Sequence, residues 1–182
     1  VITWYSNNQD GSGSGIYAQR YNADGSVNGA EFPVNTETSS GQYSPSTTAL
    51  NDGGFVITWY SNNQDGSSYG IYAQRYNADG SVNGAEFPVN TYTSSSQYSP
   101  STTALNDGGF VITWQSDNQD GSGSGIYAQQ YQYNSGLVIT DGNESSANPF
   151  AGDDIVVGGY GANVLNGGAG VNEAQYQGSE YD

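Results

Sequence analysis

The sequence lacks the side chains on which most catalysis and most recognition of nucleic acids depend. Its 182 residues include no cysteine, histidine, lysine or methionine, and its basic residues are Arg20 and Arg75 alone. Without cysteine the chain can form neither a disulfide framework nor a zinc–thiolate site. A serine nucleophile would lack its usual base, so we expect no enzymatic activity. The net charge of −16 argues against binding to nucleic acid, because phosphate groups require a basic face.

Long apolar runs are also absent. No stretch approaches the roughly 20 residues that a membrane helix needs, and anionic lipid surfaces repel an acidic chain. We therefore expect no membrane insertion. The sequence begins at Val1, within a strand-like pattern and without an initiator methionine, so we expect the chain to be a piece of a longer protein.

The residues that are abundant favour β-structure. The chain contains 16 tyrosines, 27 glycines and five prolines. Tyr, Val, Thr, Ile and Trp suit pleated, half-buried surfaces, whereas glycine and proline interrupt helices. We therefore predict an all-β protein. The excess of carboxylates favours either a surface that is simply acidic and soluble or one that binds divalent cations.

A long tandem repeat organises most of the chain. Residues 1–55 return as residues 56–110 with four differences, and a third copy follows the first from residue 111 to residue 130. The differences are Gly13/Ser68, Ser14/Tyr69, Glu37/Tyr92 and Gly41/Ser96. We predict tandem β repeats over residues 1–131, a polar connector over 132–148 and a different segment over 149–182.

Each repeat contains four strand-like segments separated by turns. One set of these segments is GGFVITWY (53–60), GIYAQRY (70–76), AEFPVNT (85–91) and PSTTAL (100–105). Asp-Gly pairs supply the positive φ angle of a tight hairpin, so we predict a four-stranded antiparallel meander in each repeat. Pro88 places its segment at a sheet edge or strand start. The first segment should be covered on both sides, since Phe55, Ile57 and Trp59 alternate with Val56, Thr58 and Tyr60.

Four short strands per repeat are typical of a β-propeller blade. The pattern P-x-x-x-A-L-x-D-G-G-F-V-I-T-W, at residues 45–59 and again at 100–114, resembles the propeller-like repeats of very large bacterial secreted calcium-binding and adhesin-like proteins. The resemblance covers residues 1–131 and implies β-propeller-like blades. Because propellers typically have about four to eight blades, more than this chain holds, a stacked β-sandwich or solenoid is the alternative.

The loop SNNQDG resembles the front of a calcium loop, D-x-[DN]-x-[DN]-G. It occupies residues 6–11 and 61–66, and it recurs as SDNQDG at 116–121. Serine stands where an acid normally begins such a loop, so each copy predicts either a weak calcium site or a loop that its polar residues only stabilise. The candidate ligands are Asp10, Asp65, Asp117 and Asp120, with Asn8, Asn63 and Asn118 at alternating positions.

The last segment resembles the RTX (haemolysin-type) nonapeptide G-G-x-G-x-D-x-U-x, in which U is a large aliphatic residue. Three units are in register: PFAGDDIVV (149–157), GGYGANVLN (158–166) and GGAGVNEAQ (167–175). The resemblance implies a short, degenerate parallel β-roll in which the first and third turns stack and hold calcium between them. The acid position carries Asp154, Asn163 and Asn172 in turn. We expect one weak calcium site centred on Asp154 and helped by Asp153, or an uncalcified glycine-rich coil.

Aromatic residues recur at equivalent positions of the repeats, as Trp4, Trp59 and Trp114 and as Tyr17, Tyr72 and Tyr127. Such residues either form the core between repeats or, if exposed, stack on sugars in a lectin-like module. The sequence predicts a structural or adhesive module of a large extracellular or cell-surface RTX-type protein, with a carbohydrate-binding module as the alternative. Near-identical repeats also predict association with like copies, head to tail or through exposed strand edges.

Overall fold

The structure is a computed structural model that describes residues 1–106, 108–132, 155–158 and 173–176. Contacts divide the chain into two units, Val1–Gln132 and Tyr133–Asp182. The described residues form twelve strands. Within these described ranges there is no helix, and hence none long and apolar enough to cross a membrane. The all-β prediction is confirmed.

The first unit contains three antiparallel sheets. Sheet 1 has the order β1-β2-β3, sheet 2 the order β4-β5-β6-β7, and sheet 3 the order β10-β9-β8. The strands of sheet 1 are β1 (Ile2–Asn7), β2 (Ser14–Gln19) and β3 (Phe32–Pro33). Those of sheet 2 are β4 (Gln42–Ala49), β5 (Phe55–Asn62), β6 (Tyr69–Tyr76) and β7 (Val82–Pro88). Those of sheet 3 are β8 (Gln97–Ala104), β9 (Phe110–Asp117) and β10 (Ser124–Tyr131).

The boundaries of the sheets do not coincide with those of the repeats. Strand β4 comes from the first copy but pairs with β5, and β8 comes from the second copy but pairs with β9. The prediction that each repeat forms its own meander is therefore wrong. The reason is the short turn between β4 and β5, where the Gly53 N–H donates to the Leu50 carbonyl at 3.1 Å and Gly53 has a φ of 84°. This turn forces a hairpin, whereas residues 89–96 are long enough to reach the next sheet.

Prolines lie on edge strands, as the sequence predicts for Pro88, which ends β7 at the edge of sheet 2. Pro45 and Pro100 lie in β4 and β8, which are also edge strands. Each stands beside a β-bulge, where Ser44 and Ser99 adopt positive φ angles of 49° and 55°. An edge strand with a bulge tolerates proline because the missing N–H would face away from the sheet.

The sheets pack face to face, and residues at equivalent positions of successive repeats form most of the core at the two junctions. Alternation along β5 places Phe55, Ile57 and Trp59 against sheet 1 and Val56 against sheet 3, so the prediction of a strand covered on both faces is confirmed. The junction of sheets 1 and 2 buries Ile16, Ala18, Val34, Phe55, Ile57, Trp59, Tyr72 and Tyr76. The junction of sheets 2 and 3 buries Leu50, Val56, Ile71, Ala73, Val89, Phe110, Ile112, Trp114 and Tyr131.

A buried polar network joins the end of one sheet to the first strand of the next. The Asn35 Oδ1 atom accepts the Ile16 N–H at 2.6 Å, and its Nδ2 atom donates to Gln42 Oε1 at 3.0 Å. The Gln42 amide in turn donates to the Ser61 hydroxyl at 3.3 Å. The same three bonds recur one repeat later among Ile71, Asn90, Gln97 and Ser116. Each junction is thus specified by hydrogen bonds as well as by apolar packing.

In the second unit, the described residues form two short strands, β11 (Ile155–Gly158) and β12 (Glu173–Tyr176). They pair in parallel, with Ile155 opposite Glu173. Each residue of β11 therefore lies opposite a residue of β12 that comes two nonapeptide lengths later in the sequence, as Val156 does opposite Ala174. This pairing agrees with the expected stacking of the first and third nonapeptide units.

Candidate binding sites in the repeats

The three SNNQDG-type loops share one backbone conformation. In the first loop Asn8 has a positive φ of 59° and Gly11 one of 92°. The Asn8 N–H donates to the Gly13 carbonyl at 2.6 Å, and the Gly11 N–H donates to the Asn8 carbonyl at 3.3 Å. The second and third loops repeat these bonds around Asn63 and Asn118. Asparagine and glycine are the residues that tolerate positive φ, which explains why this sequence forms such tight loops.

The loop aspartate binds its own backbone. The Oδ1 atom of Asp10 accepts the Ser12 N–H at 3.1 Å, and Asp65 and Asp120 accept the equivalent N–H at 3.0 and 3.1 Å. The second oxygen, Oδ2, is buried without a hydrogen-bond partner in Asp10 and in Asp65. A carboxylate that closes a local turn stabilises the loop, so the interpretation of these loops as polar-stabilised turns has a direct structural basis.

A glycine makes room for each of these carboxylates. A Cβ atom added to Gly15 would lie 2.6 Å from Asp10 Oδ2, and one added to Gly70 would lie 2.8 Å from Asp65 Oδ2. The third loop is looser, because the matching distance from Gly125 to Asp120 Oδ2 is 3.5 Å. Packing against the aspartate therefore requires glycine after the first and second loops, at Gly15 and Gly70.

The predicted loop ligands contribute one or two carboxylates to each loop. In the part of the chain that is described, no group of three or more His, Cys, Asp or Glu side chains could hold a metal ion. Asp117 bonds instead to the Tyr98 hydroxyl at 2.9 Å and the Ser124 hydroxyl at 2.6 Å, whereas Asp120 bonds to the Ser122 N–H. The third loop therefore uses its two carboxylates for different purposes. Calcium binding by Asp10, Asp65, Asp117 and Asp120 stays a prediction.

The remaining predicted calcium ligands belong to the nonapeptide segment. Asp153, Asp154, Asn163 and Asn172 all lie outside the described residues. Asp154 and Asn172 immediately precede β11 and β12 in the sequence. The calcium site centred on Asp154 stays a prediction as well.

Most of the repeated aromatic residues belong to the core. Trp59 is fully buried and Trp114 nearly so, and Tyr17 and Tyr72 are each 6% exposed. Trp4 and Tyr127 are half-buried. The interpretation of these positions as core is confirmed for the four buried side chains, and those four cannot stack on a sugar.

A different set of aromatic residues, drawn from sheets 1 and 2, is partly accessible. We call Tyr5, Tyr43, Tyr60 and Tyr69 the tyrosine cluster. Ring centroids are 5.7 Å apart for Tyr5 and Tyr43, 5.6 Å for Tyr43 and Tyr60, and 5.2 Å for Tyr60 and Tyr69. Tyr5 is 51% exposed, and the other three are half-buried. Two of these contacts are edge-to-face and the one between Tyr43 and Tyr60 is tilted, and such contacts fix the rings while leaving part of their surface to solvent.

Sheet 3 has no equivalent of the tyrosine cluster. Gln115 occupies the position of Tyr60, and its side chain donates to the Tyr98 hydroxyl at 2.7 Å. Ser124 occupies the position of Tyr69. Sequence reasoning missed the cluster, although a signal was present: Ser14/Tyr69 is one of four differences between two otherwise identical repeats.

The phenols beside the acidic loops hold their protons tightly. Burial first, and then the negative charges of Asp65, Glu86 and Glu37, raise the pKa of Tyr72 to about 12. Burial and then the charge of Asp10 raise the pKa of Tyr17, and burial and then the charge of Asp120 raise the pKa of Tyr127. A phenol with a raised pKa is a poor base at neutral pH, so these three tyrosines are unsuited to proton abstraction.

Comparison with known proteins assigns no family. No family model and no curated protein matches the sequence. The crystal structure of endo-arabinase from Bacteroides thetaiotaomicron aligns with 73% of this chain and 51% of that chain, at 17% sequence identity and a TM-score of 0.44. The aligned region therefore spans about half of that enzyme. A similarity this low assigns neither an activity nor a fold family to the chain.

Proposed function

We propose that this chain is a non-enzymatic structural and adhesive module of a large extracellular RTX-type protein. The observation that supports this most is the duplicated junction between sheets. The same isoleucine, tryptophan and tyrosine positions, and the same Asn–Gln–Ser network, join sheet 1 to sheet 2 and sheet 2 to sheet 3. Side chains that recur in this way serve packing, and an array that adds one sheet per repeat is suited to bearing load or presenting a surface.

The propeller-like arrangement is also a proposal, and contacts between the first strands of successive sheets support it. The Thr48 hydroxyl on β4 donates to the Thr102 carbonyl on β8 at 2.8 Å, and the hydroxyls of Thr58 and Thr102 lie 3.2 Å apart. The Asn51 amide donates to the Leu105 carbonyl at 2.8 Å. Edge strands that converge in this way are what blades around a common axis require, whereas a simple sandwich aligns whole sheet faces.

Single-molecule pulling tests the structural role directly. The chain is held at its two ends, and the extension released by each rupture is measured. If residues 1–132 act as a scaffold, they should resist force and release their length in a few large steps, because each sheet is locked to its neighbour. Gradual extension without distinct ruptures would argue against a load-bearing module. Retention of labelled chain on cell surfaces, with and without calcium, tests the adhesive part.

Weak calcium binding is proposed for the nonapeptide segment. The parallel pairing of β11 with β12 at an offset of two nonapeptides supports the stacked arrangement that such a site needs. Binding should fall in the roughly 0.1–1 mM range of extracellular modules, because the acid positions of the stacked units supply one carboxylate and one amide. It should also be linked to folding of the segment, since a site made from two turns does not exist in the unfolded chain.

Calorimetric titration of two variants tests the calcium site. Asp154→Ala should abolish binding by the segment and leave residues 1–132 folded. Asn172→Asp should tighten binding by adding a second carboxylate. The matched control is Asp24→Asn, which removes one charge from an exposed turn and should change nothing. If Asn172→Asp binds calcium no better than the wild type, the stacking of the first and third units is wrong.

Carbohydrate binding is the second candidate function, and the tyrosine cluster is the observation that favours it. Rings that are fixed and partly accessible can stack on sugar faces. A glycan array with the wild type and Tyr69→Ser tests this, because the variant restores the residue that the first repeat carries at this position. Binding should be lost in Tyr69→Ser and kept in Tyr92→Glu, which restores another residue of the first repeat elsewhere. Equal binding by both variants would exclude the tyrosine cluster as the sugar site.

A further inference from the structure

Among the residues that the structure describes, the face of sheet 1 that points away from sheet 2 is apolar and partly exposed, although Tyr17 on this face is buried. Pairing of Tyr5 with Ile16 and of Trp4 with Tyr17 places Ile2 and Trp4 on this face. Ile2 is 57% exposed, and Tyr21 at the end of the same face is 42% exposed. In sheets 2 and 3 the equivalent isoleucines are fully buried and the equivalent tyrosines are 2% and 8% exposed. We call this surface the leading face.

The equivalent residues on the face of sheet 3 that points away from sheet 2 are exposed among the residues that the structure describes. Ile126 is 77% exposed, although Ile16 and Ile71 at the equivalent positions are fully buried. Ala128 is exposed as well, whereas Ala18 and Ala73 are fully buried. Val111 completes this surface and is half-buried. We call it the trailing face.

The leading and trailing faces are the two halves of a junction that the chain already forms twice. At each internal junction, isoleucine, tryptophan and tyrosine of one sheet pack on isoleucine, alanine and valine of the sheet before it. Those residue types occupy the leading and the trailing face. We propose that the leading face of one chain binds the trailing face of a second copy, head to tail, and so forms the same junction a third time.

The residues named on the two faces are all uncharged, and Gln130 stands in the third copy where Arg75 forms an ion pair with Asp52 in sheet 2. The first units of two copies joined at both ends would contain six sheets, which is within the about four to eight blades of a closed propeller. A ring of this kind buries every leading and trailing face, whereas an open chain leaves one of each exposed. We therefore infer that the assembly is a closed dimer.

Mixing two single-face variants of the full chain tests the proposal. Ile2→Asp disables the leading face and Ile126→Asp the trailing face, and both residues are exposed enough that the monomer should fold. Mass is measured by light scattering in about 0.5 M NaCl, where repulsion between acidic copies is screened within a few ångströms. The wild type should have about twice the 19.1 kDa mass of one chain. Each variant alone should associate at least tenfold more weakly, because a buried carboxylate would have no partner.

The decisive result is the behaviour of the mixture. An equimolar mixture of the two variants should recover a dimer, because one variant keeps an intact leading face and the other an intact trailing face. The control Val82→Asp changes a residue of β7 that is 60% exposed and lies on neither face, and it should dimerise like the wild type. Longer wild-type assemblies that show the same recovery would support head-to-tail docking and would overturn the closed dimer.

Three results would overturn the proposal. One is a wild type that stays monomeric at every concentration. Another is a mixture that shows no recovery, which would indicate contact between like faces. The third is faster hydrogen exchange in residues 133–182 of a monomeric Ile126→Asp variant, which would assign the trailing face to that part of the same chain.

Discussion

At the scale of single residues, buried amides decide how one sheet is joined to the next. Gln97 is fully buried and accepts a hydrogen bond from Asn90 Nδ2 at 3.0 Å. It donates to the Ser95 carbonyl at 2.8 Å and to the Ser116 hydroxyl at 3.4 Å. A buried amide of this kind stabilises the fold only while its partners are present, because each group left unpaired costs free energy.

Gln97→Leu should therefore lower the free energy of unfolding by about 1–3 kcal/mol, since it removes one of the two acceptors of the Asn90 amide and the Gln97 donor to the Ser95 carbonyl and the Ser116 hydroxyl. Denaturant titration followed by tryptophan fluorescence measures the change. The control is Gln129→Leu, at an exposed position of β10, which should shift stability by less than about 0.5 kcal/mol. Equal effects of the two substitutions would mean that the network contributes nothing.

Glycine is required at position 54 because the backbone of Tyr76 passes too close for a side chain. A Cβ atom added there would lie 2.4 Å from the Tyr76 carbonyl oxygen. Gly54→Ala should destabilise the protein by roughly 1–3 kcal/mol, the cost of overpacking a core, because a backbone atom cannot rotate away. Gly11→Ala is the comparison that measures backbone strain without a steric clash. A Cβ atom added to Gly11 would meet nothing within 4 Å, but the φ angle of Gly11 is +92°. We expect Gly11→Ala to cost less in thermal unfolding, and the reverse order would contradict the clash.

At the scale of elements, burial depends on the place of a strand in the stack. Strands β1 and β5 carry the same ITWYSN sequence. In β5 the isoleucine and tryptophan of this sequence are fully buried, whereas in β1 Ile2 is 57% exposed. The difference arises because β5 has a sheet on each side and β1 has one on a single side. Identical local sequence thus yields different energetic contributions.

This difference in burial predicts that the same Ile→Val substitution lowers stability by unequal amounts in β5 and in β1. Ile57→Val should destabilise the protein by about 0.5–1.5 kcal/mol, the usual cost of deleting one methylene group from a core. Ile2→Val should have almost no effect on the stability of the monomer. Both are measured by denaturant titration of dilute protein, so that association does not contribute. Equal losses would mean that the leading face is covered in solution.

At the scale of the whole molecule, buried phenols couple stability to alkaline pH. Burial raises the pKa of Tyr131 to about 12, and burial with neighbouring carboxylates does the same for Tyr72. Both shifts start from the ordinary value of 10.0. Above that value the unfolded chain loses protons that the folded chain keeps, so folding becomes less favourable as pH rises.

Stability should therefore be constant up to about pH 10 and should fall between about pH 10 and about pH 12. Tyr72→Phe should make this fall shallower, because one of the phenols that drives it is removed. Denaturant midpoints measured from about pH 8 upward, together with tyrosinate absorbance, test the prediction. A wild type whose stability does not change over this range would show that the buried phenols ionise in the folded state.

Much of the fold could be predicted from the sequence. Alternation along residues 55–60 predicted a strand buried on both faces, and Pro88 predicted an edge; both are confirmed. The assignment of strands to sheets was wrong, because a repeat can be divided at any point without changing its period. The hairpin at Gly53 decides where the division falls, and the sequence offers the same turn signal at several places.

Less of the candidate site could be predicted. The sequence identified the SNNQDG-type loops, but whether a carboxylate faces an ion or its own backbone depends on the loop conformation, and Asp10 bonds to Ser12. The tyrosine cluster draws Tyr5 from β1 and Tyr43 from β4, two strands that are distant in the sequence and belong to different sheets. No local pattern indicates that such residues meet, because the packing of one sheet on another brings them together.

The sequence by itself determined the elements that form: strands from β-branched and aromatic residues, turns from Asp-Gly and Asn-Gly pairs, and interruptions from proline. These are local preferences, so every copy of the repeat expresses them alike. Only the tertiary structure decided which strands share a sheet, which of three equivalent isoleucines is exposed, and which tyrosines meet. The physical reason is that burial depends on neighbours: Ile2, Ile57 and Ile112 are chemically identical, and only their places in the stack distinguish them.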